Sequence, residues 1–206
     1  MIDLLQKNKY YYTTILFFLL FGGVVLLNNS KEDIFFLVNS LHSSSLDFLF
    51  LKFNIIGNVE FSVFCVLSIL ILRNWRLALK ATSCFIAVML VTQFMKHILF
   101  PGTLRPILYF QESTLRLVDG VIQLTTESFP SGHTSAAFSI ATFFALYKSG
   151  RWWNFTFAFI ALIVGYGRIY LSQHFITDVY AGMIIGVLIT TLVYAFYPKS
   201  LDVHAK

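Results

Sequence analysis

The sequence predicts an all-α integral-membrane protein, a six-transmembrane helix bundle with interfacial helices between the first two spans, and three features carry that expectation. Of its 206 residues 57% are hydrophobic and only 12% charged, a balance that a water-soluble domain of this size rarely tolerates. Several apolar stretches approach the roughly 20 residues that a helix needs to cross about 30 Å of hydrocarbon, and charges fall between them rather than inside them. Lysine and arginine are also distributed unevenly between alternate loops, as the positive-inside rule requires.

The first span covers about residues 11–28. Lys7 and Lys9 ahead of the apolar run from Thr13 to Leu27 could pass for a secretory signal, but no small-x-small cleavage site follows at Leu26, Leu27, Asn28 and Asn29, so a retained span is expected. Residues 32–55 carry Ile34, Phe35, Phe36, Leu46, Phe48 and Phe50 broken by His42, three serines and Asp47, a pattern for helices lying on the membrane surface. Further spans are expected at about 57–73, 77–98, 131–148, 152–170 and 176–197. Tyr10, Tyr11, Tyr12, Trp152 and Trp153 stand at span ends, where rings with a polar edge prefer the headgroup level. Cys65 and Cys84 sit inside apolar runs and read as small hydrophobes. No repeat interrupts the chain, so residues 1–206 form one domain.

Lys7, Lys9, Arg73, Arg76, Lys80, Lys148, Arg151, Lys199 and Lys206 fall on one side with only Asp3 and Asp202 as acids, which makes that side, and both termini, cytoplasmic. The other side holds six basic residues and eight acids: Glu32, Asp33, Asp47, Glu60, Glu112, Asp119, Glu127 and Asp178. The net charge of +5 forms no basic stripe with interleaved aromatics, so nucleic acid is not an expected partner.

Every chemically suggestive residue lies on the outer side, in three clusters: Lys96 with Arg105-Pro106, then Pro130-Ser131-Gly132-His133, then Arg168 with His174 and Asp178. Charges at membrane depth need partners or a ligand. Three cations against Asp178 leave an excess of positive charge, and an anion with several oxygens, such as phosphate, suits it. Pro130-Ser131-Gly132-His133 opens a span, where free backbone N–H groups, a partial positive charge and a glycine allow an oxyanion to approach. His174 and Asp178, four apart, are expected on one helix face, with the carboxylate orienting an imidazole nucleophile. His133 at the cradle is placed to act as acid while His174 attacks phosphorus. The spacing alone does not choose which histidine attacks.

Residues 96–178 resemble the type 2 phosphatidic acid phosphatase (PAP2) family, in the superfamily shared with vanadium haloperoxidases and bacterial acid phosphatases. That family is marked by Lys-x6-Arg-Pro, Pro-Ser-Gly-His and Ser-Arg-x5-His-x3-Asp; this chain has Lys96-x8-Arg105-Pro106, Pro130-Ser131-Gly132-His133 and Gly167-Arg168-x5-His174-x3-Asp178. The resemblance implies a phosphohistidine at His174, Asp178 as its orienter, His133 as general acid, and Lys96, Arg105, Ser131, Gly132 and Arg168 as phosphate ligands. It also implies six transmembrane helices and no required metal or cofactor. Two departures stand out. The longer first motif, with Pro101 and Gly102 inside it, requires the loop to bulge if Lys96 and Arg105 are to reach one phosphate, and Gly167 removes a possible hydroxyl donor.

The expected function is a lipid phosphatase of the bacterial inner (cell) membrane, acting at the periplasmic or exterior face on a lipid phosphomonoester or diphosphate. The acid-rich outer loops weakly disfavour a large polyanionic saccharide headgroup, and the reading leans toward a polyprenyl diphosphate such as undecaprenyl diphosphate. Competing readings are a lipid phosphotransferase, a lipid A or phosphatidylglycerol phosphate phosphatase, and a non-catalytic lipid-binding or transport protein. A zinc site at His133, His174 and Asp178 is disfavoured because three nearby cations would repel a dication. His42, His97 and His204 read as structural, Gly182-x3-Gly186 as close packing within the bundle, and Glu112, Arg116, Asp119 and Glu127 as a solvated loop face.

Overall fold

The computed structural model describes residues 1–110 and 115–197; Glu112, Lys199, Asp202, His204 and Lys206 therefore lie outside the described residues. The elements are α1 (Ile2–Lys7), α2 (Lys9–Asn28), α3 (Lys31–Ser40), α4 (Ser44–Asn54), a 3-10 turn (Ile55–Gly57), α5 (Val59–Ile71), α6 (Trp75–Phe94) running into a wide π turn (Met95–Leu99), α7 (Pro106–Phe110), α8 (Gly132–Lys148), α9 (Arg151–Tyr170) and α10 (Ile176–Phe196). No strand occurs among the described residues. A helix stands at each of the six expected positions, its ends within about two residues of the expected ones when α6 is taken with its π turn, but α5 has only 13 residues.

Lys9–Asn28, Trp75–Leu99 and Ile176–Phe196 are each long and apolar enough to cross a membrane. The α3–α4 pair passes the same test only as a unit bent by 117°, and α5 is a shorter apolar helix. At 17 residues α8 is also short for a span, and α9 carries Arg151, Asn154 and Arg168 among its apolar residues. Both turn small and polar side chains toward protein rather than lipid. Ser135, Ser139 and Thr142 of α8 are buried, and Ser139 and Thr142 hydrogen-bond Thr190 and Tyr11 at 2.7 Å each. Leu16, Phe17, Leu20 and Phe21 of α2 and Val63, Phe64 and Leu67 of α5 are exposed. Apolar walls of this kind require hydrocarbon as their solvent, and the chain is an integral membrane protein.

Two glycines set the central contact. A Cβ on Gly182 would lie 2.8 Å from the Ser131 carbonyl oxygen, and one on Gly186 would lie 2.6 Å from that of Ser135. The Gly182-x3-Gly186 step is thus used up inside the bundle, letting α10 close on α8. The approach also ties the starts of the two helices together, because the Ser131 N–H donates to the Asp178 carbonyl at 3.0 Å. All three sequence clusters meet at this end.

Candidate active site

His174 lies in the turn between α9 and α10, where its N–H and that of Gln173 both return to the Arg168 carbonyl, at 3.2 and 3.0 Å. It therefore precedes α10 instead of sharing a helical face with Asp178, as the four-residue spacing had suggested. The pair meets by capping: Asp178, in the first turn of α10, folds its carboxylate back to accept the Phe175 N–H at 3.0 Å, and the same Oδ2 stands 3.4 Å from His174 Nδ1. A carboxylate there also faces the positive end of the helix dipole.

On the other side of the ring, Arg105 Nη1 lies 3.2 Å from His174 Nε2. A guanidinium can only donate, so Nε2 must present its lone pair and Nδ1 must carry the proton directed at Asp178. Burial, followed by the charges of Arg105, Arg168 and Lys96, holds the imidazole well below the usual histidine range. It is neutral at physiological pH, with its Nε2 lone pair accepting from the Arg105 guanidinium.

Lys96 also reaches the site despite the stretched motif. The wide turn at Met95–Leu99 and the positive φ of Gly102 (72°) supply the bulge. Lys96 Nζ then donates to the Glu127 carbonyl at 2.5 Å, and Arg105 Nη2 donates to the same oxygen at 3.3 Å. Arg105 Nε is held by the Thr126 carbonyl at 2.8 Å. Arg168 joins from α9: its Nη2 and Arg105 Nη1 both donate to Gln173 Oε1, at 3.3 and 3.4 Å, and Nη1 is bonded to Asn54 of α4. Gly132 is beside Lys96, whose Cε would lie 3.9 Å from a Cβ at that position. The Ser131 hydroxyl caps α8 by accepting from the Thr134 N–H.

Lys96, Arg105 and Arg168 are 7%, 6% and 3% exposed; the carboxylate of Asp178 is buried with them, and that of the partly buried Glu127 acts on Lys96 and Arg105 from the rim. Burial pulls the Arg105 guanidinium below its ordinary value, as expected of a cation without a full counter-charge. Arg168 Nε is buried and has no hydrogen-bond partner. A tetrahedral anion with several oxygens would answer both deficits. Among the described residues no three His, Cys, Asp or Glu side chains converge as metal ligands.

His133, on the first turn of α8, completes the constellation. Gly57 backs it so closely that a Cβ there would lie 2.7 Å from the His133 Cβ. His133 and Gly132 also line the end of an apolar cleft of about 630 Å³ between α5, α6 and α8, walled by Val63, Val66, Phe85 and Met89. The cation cluster and a chain-sized apolar cleft thus meet at this histidine.

The family model described as the PAP2 superfamily matches residues 77–202, more than half of the chain and all three clusters. The chain belongs to the PAP2 superfamily. Among curated proteins it is similar to a lipid A 4'-phosphatase of Porphyromonas gingivalis, 35% identical over 69 residues, which cover 34% of this chain and 29% of that protein. It spans less than two fifths of the length of the curated relatives it matches. Two solved structures share the fold. LpxE of Aquifex aeolicus aligns with a TM-score of 0.70 at 24% identity, over 80% of this chain and 94% of that one. The PAP2-type phosphatidylglycerolphosphate phosphatase of Bacillus subtilis aligns at 0.65 and 22%, over 95% and 98%.

The PAP2 motifs leave four residues of this site unmarked. Asn54 and Gln173 hold the arginines, Gly57 gives His133 its room, and Ser128 donates to Asp178 at 2.5 Å. Of these only Gln173, next to His174, had a local signal. The glycine at the PAP2 serine position also has a physical reason, because a Cβ on Gly167 would lie 3.0 Å from the Phe50 ring. Phe50 and Asn54 both belong to α4, so the ring that excludes a side chain at 167 and the amide that holds Arg168 arrive together. Of the expected loop face, Asp119 is exposed, Arg116 is paired with Asp47, and Glu127 lends its backbone to the cations. His42 is exposed, and His97, also exposed, contacts Gln93 at 3.0 Å.

Proposed function

We propose that the chain is a membrane lipid phosphatase that cleaves a lipid phosphomonoester or diphosphate through a phosphohistidine at His174. The observation that carries this reading is that three buried cations gather beside His174, Arg105 reaching its Nε2, while Gly132 and His133 at the start of α8 line an apolar cleft. The headgroup phosphate takes Lys96, Arg105, Arg168 and the N-terminus of α8, with Ser131 and Gly132, as its donors, and the lipid chain lies in the cleft. The arriving phosphate draws Arg105 Nη1 away from Nε2, Nε2 attacks phosphorus, the P–O bond to the lipid breaks, and His133 gives its proton to the departing oxygen. Asp178 holds the Nδ1 proton and offsets the charge that develops on the ring. Water then attacks the phosphohistidine, His133 accepts its proton, and inorganic phosphate leaves. Fixed donors aimed at the equatorial oxygens stabilise the transition state better than water could.

In this reading α2, α5, α6, α8, α9 and α10 span the bilayer, α3 and α4 lie at its surface, both termini are cytoplasmic, and the site faces the periplasm or exterior of a bacterial cell membrane. The acid-rich outer loops weakly disfavour a large polyanionic saccharide headgroup, and the reading leans on that ground toward a polyprenyl diphosphate such as undecaprenyl diphosphate. The names of the relatives favour a second reading, in which lipid A or phosphatidylglycerol phosphate is the substrate. The test is phosphate release by the purified protein in detergent from undecaprenyl diphosphate, phosphatidylglycerol phosphate, phosphatidic acid and lipid A, beside His174→Ala. Release from one lipid, lost in the variant, supports the reading and ranks the substrates. Transfer of label to an acceptor lipid without free phosphate would make the protein a phosphotransferase, and full activity of His174→Ala would overturn the mechanism.

A further inference from the structure

We infer that Ser128 is a positioning residue for the reaction, acting through Asp178 to fix the His174 imidazole. Ser128 is 1% exposed, and its Oγ lies 2.5 Å from Asp178 Oδ2 and 3.4 Å from His174 Nδ1. The direct contact between Nδ1 and Oδ2 is also 3.4 Å, longer than the roughly 2.7–3.2 Å of a full N–H···O bond. The carboxylate alone therefore holds the ring loosely. A serine hydroxyl has one proton to give and lone pairs to accept with. Because Arg105 occupies Nε2, the Nδ1 proton faces Oδ2, Ser128 Oγ and the Ser128 backbone carbonyl, while the serine proton goes to Oδ2. The short Ser128–Asp178 bond fixes the carboxylate, and the two side chains together set two acceptors against Nδ1 where the carboxylate alone gives one.

The serine is itself held from outside the pair. Its N–H donates to the Thr103 carbonyl at 3.0 Å, and the next N–H, that of Phe129, goes to the Thr103 hydroxyl at 3.0 Å. Thr103 lies in the loop between Lys96 and Arg105, and the residue before Ser128 presents the carbonyl shared by those two cations. One short segment thus sets the cations and the nucleophile in register. Loss of the hydroxyl should cost turnover and leave anion binding intact.

This inference rests on the proposed role of the His174–Asp178 pair, and the experiment separates the two. Ser128→Ala, Asp178→Asn and the double variant are assayed for phosphate release from whichever of the four lipids wild type cleaves fastest, with vanadate inhibition as the measure of anion binding. Ser128→Ala is expected to lower kcat by about 10- to 100-fold, the loss typical when a residue orienting an imidazole is removed. KM and the vanadate inhibition constant should stay within about threefold. In the Asp178→Asn background the same change should cost less than about threefold, because residues acting through one another are not additive. An unchanged kcat, a full loss in both backgrounds, or a parallel loss of vanadate binding would overturn the inference. If wild type forms no phosphohistidine while the non-additivity persists, the covalent reading falls and the positioning role of Ser128 stands.

Discussion

Gly57 offers a perturbation whose size can be worked from geometry alone. A methyl group at this position would meet the His133 Cβ at 2.7 Å, its carbonyl oxygen at 2.8 Å and its Cα at 3.0 Å. Two of these atoms are backbone, so no rotamer change relieves the overlap; the turn at Ile55–Gly57 and the start of α8 must separate by about 0.7–1 Å to restore van der Waals distance. Overpacking of this kind costs about 1–3 kcal/mol of stability. A shift of about 1 Å in a reacting group can cost about 10²-fold in rate. Gly57→Ala is therefore expected to lower kcat by about 10- to 100-fold in a phosphate-release assay, with vanadate binding weakened to a smaller extent, because the start of α8 with Ser131 and Gly132 shifts while Lys96, Arg105 and Arg168 sit on other segments. Gly23→Ala, whose Cβ would make an ordinary 3.4 Å contact with the Tyr180 hydroxyl, is the control and should retain activity. Wild-type turnover in Gly57→Ala would refute the claim that His133 needs this position.

Asp178→Asn should keep substrate binding but slow turnover by about 10²-fold or more, as happens when an imidazole loses its orienting carboxylate; equal kcat values would remove that role. Vanadate, which mimics five-coordinate phosphorus, should inhibit and a chelator should not; activity lost to chelator and restored by zinc would point to a metal instead. The His174 ring, held neutral in the fold, takes a proton in the unfolded chain below about pH 6.5. Its contribution to stability is therefore present above that pH and is lost as the pH falls, with a slope of up to about 1.4 kcal/mol per unit. Thermal unfolding of wild type against His174→Gln between about pH 7 and 5 should show the gap closing on the acid side, and parallel curves would contradict it.

Helix positions were legible in the sequence because lipid imposes a simple rule on every exposed turn, and the Thr13–Leu27 run obeys it residue by residue. The inner helices were legible for a different reason: they stay mostly apolar in spite of their polar residues, and the chemical clusters mark the start of α8 and the turn between α9 and α10. What did not show in the chain is how distant segments meet. Asn54 reaches Arg168 across 114 residues and Ser128 reaches Asp178 across 50, and no periodicity encodes either contact. The His174–Asp178 spacing suggested a helical face, whereas the pair is made by a cap, a geometry with the same four-residue separation. The bulge between Lys96 and Arg105 was foreseeable from Pro101 and Gly102, but its partner, the Glu127 carbonyl, was not, since backbone atoms carry no sequence signature. Phe50 likewise explains Gly167 only after α4 is seen to pack on α9.

The Nε2 lone pair of His174 is the centre of the proposed chemistry, and trapping its product is the most direct trial. Wild-type protein mixed with a lipid carrying radiolabelled phosphate and quenched within the first turnover should hold acid-labile, base-stable label on residue 174, absent from His174→Ala and accumulating when His133 is replaced by asparagine. Label on His133, or turnover with no labelled protein at any quench time, would contradict it.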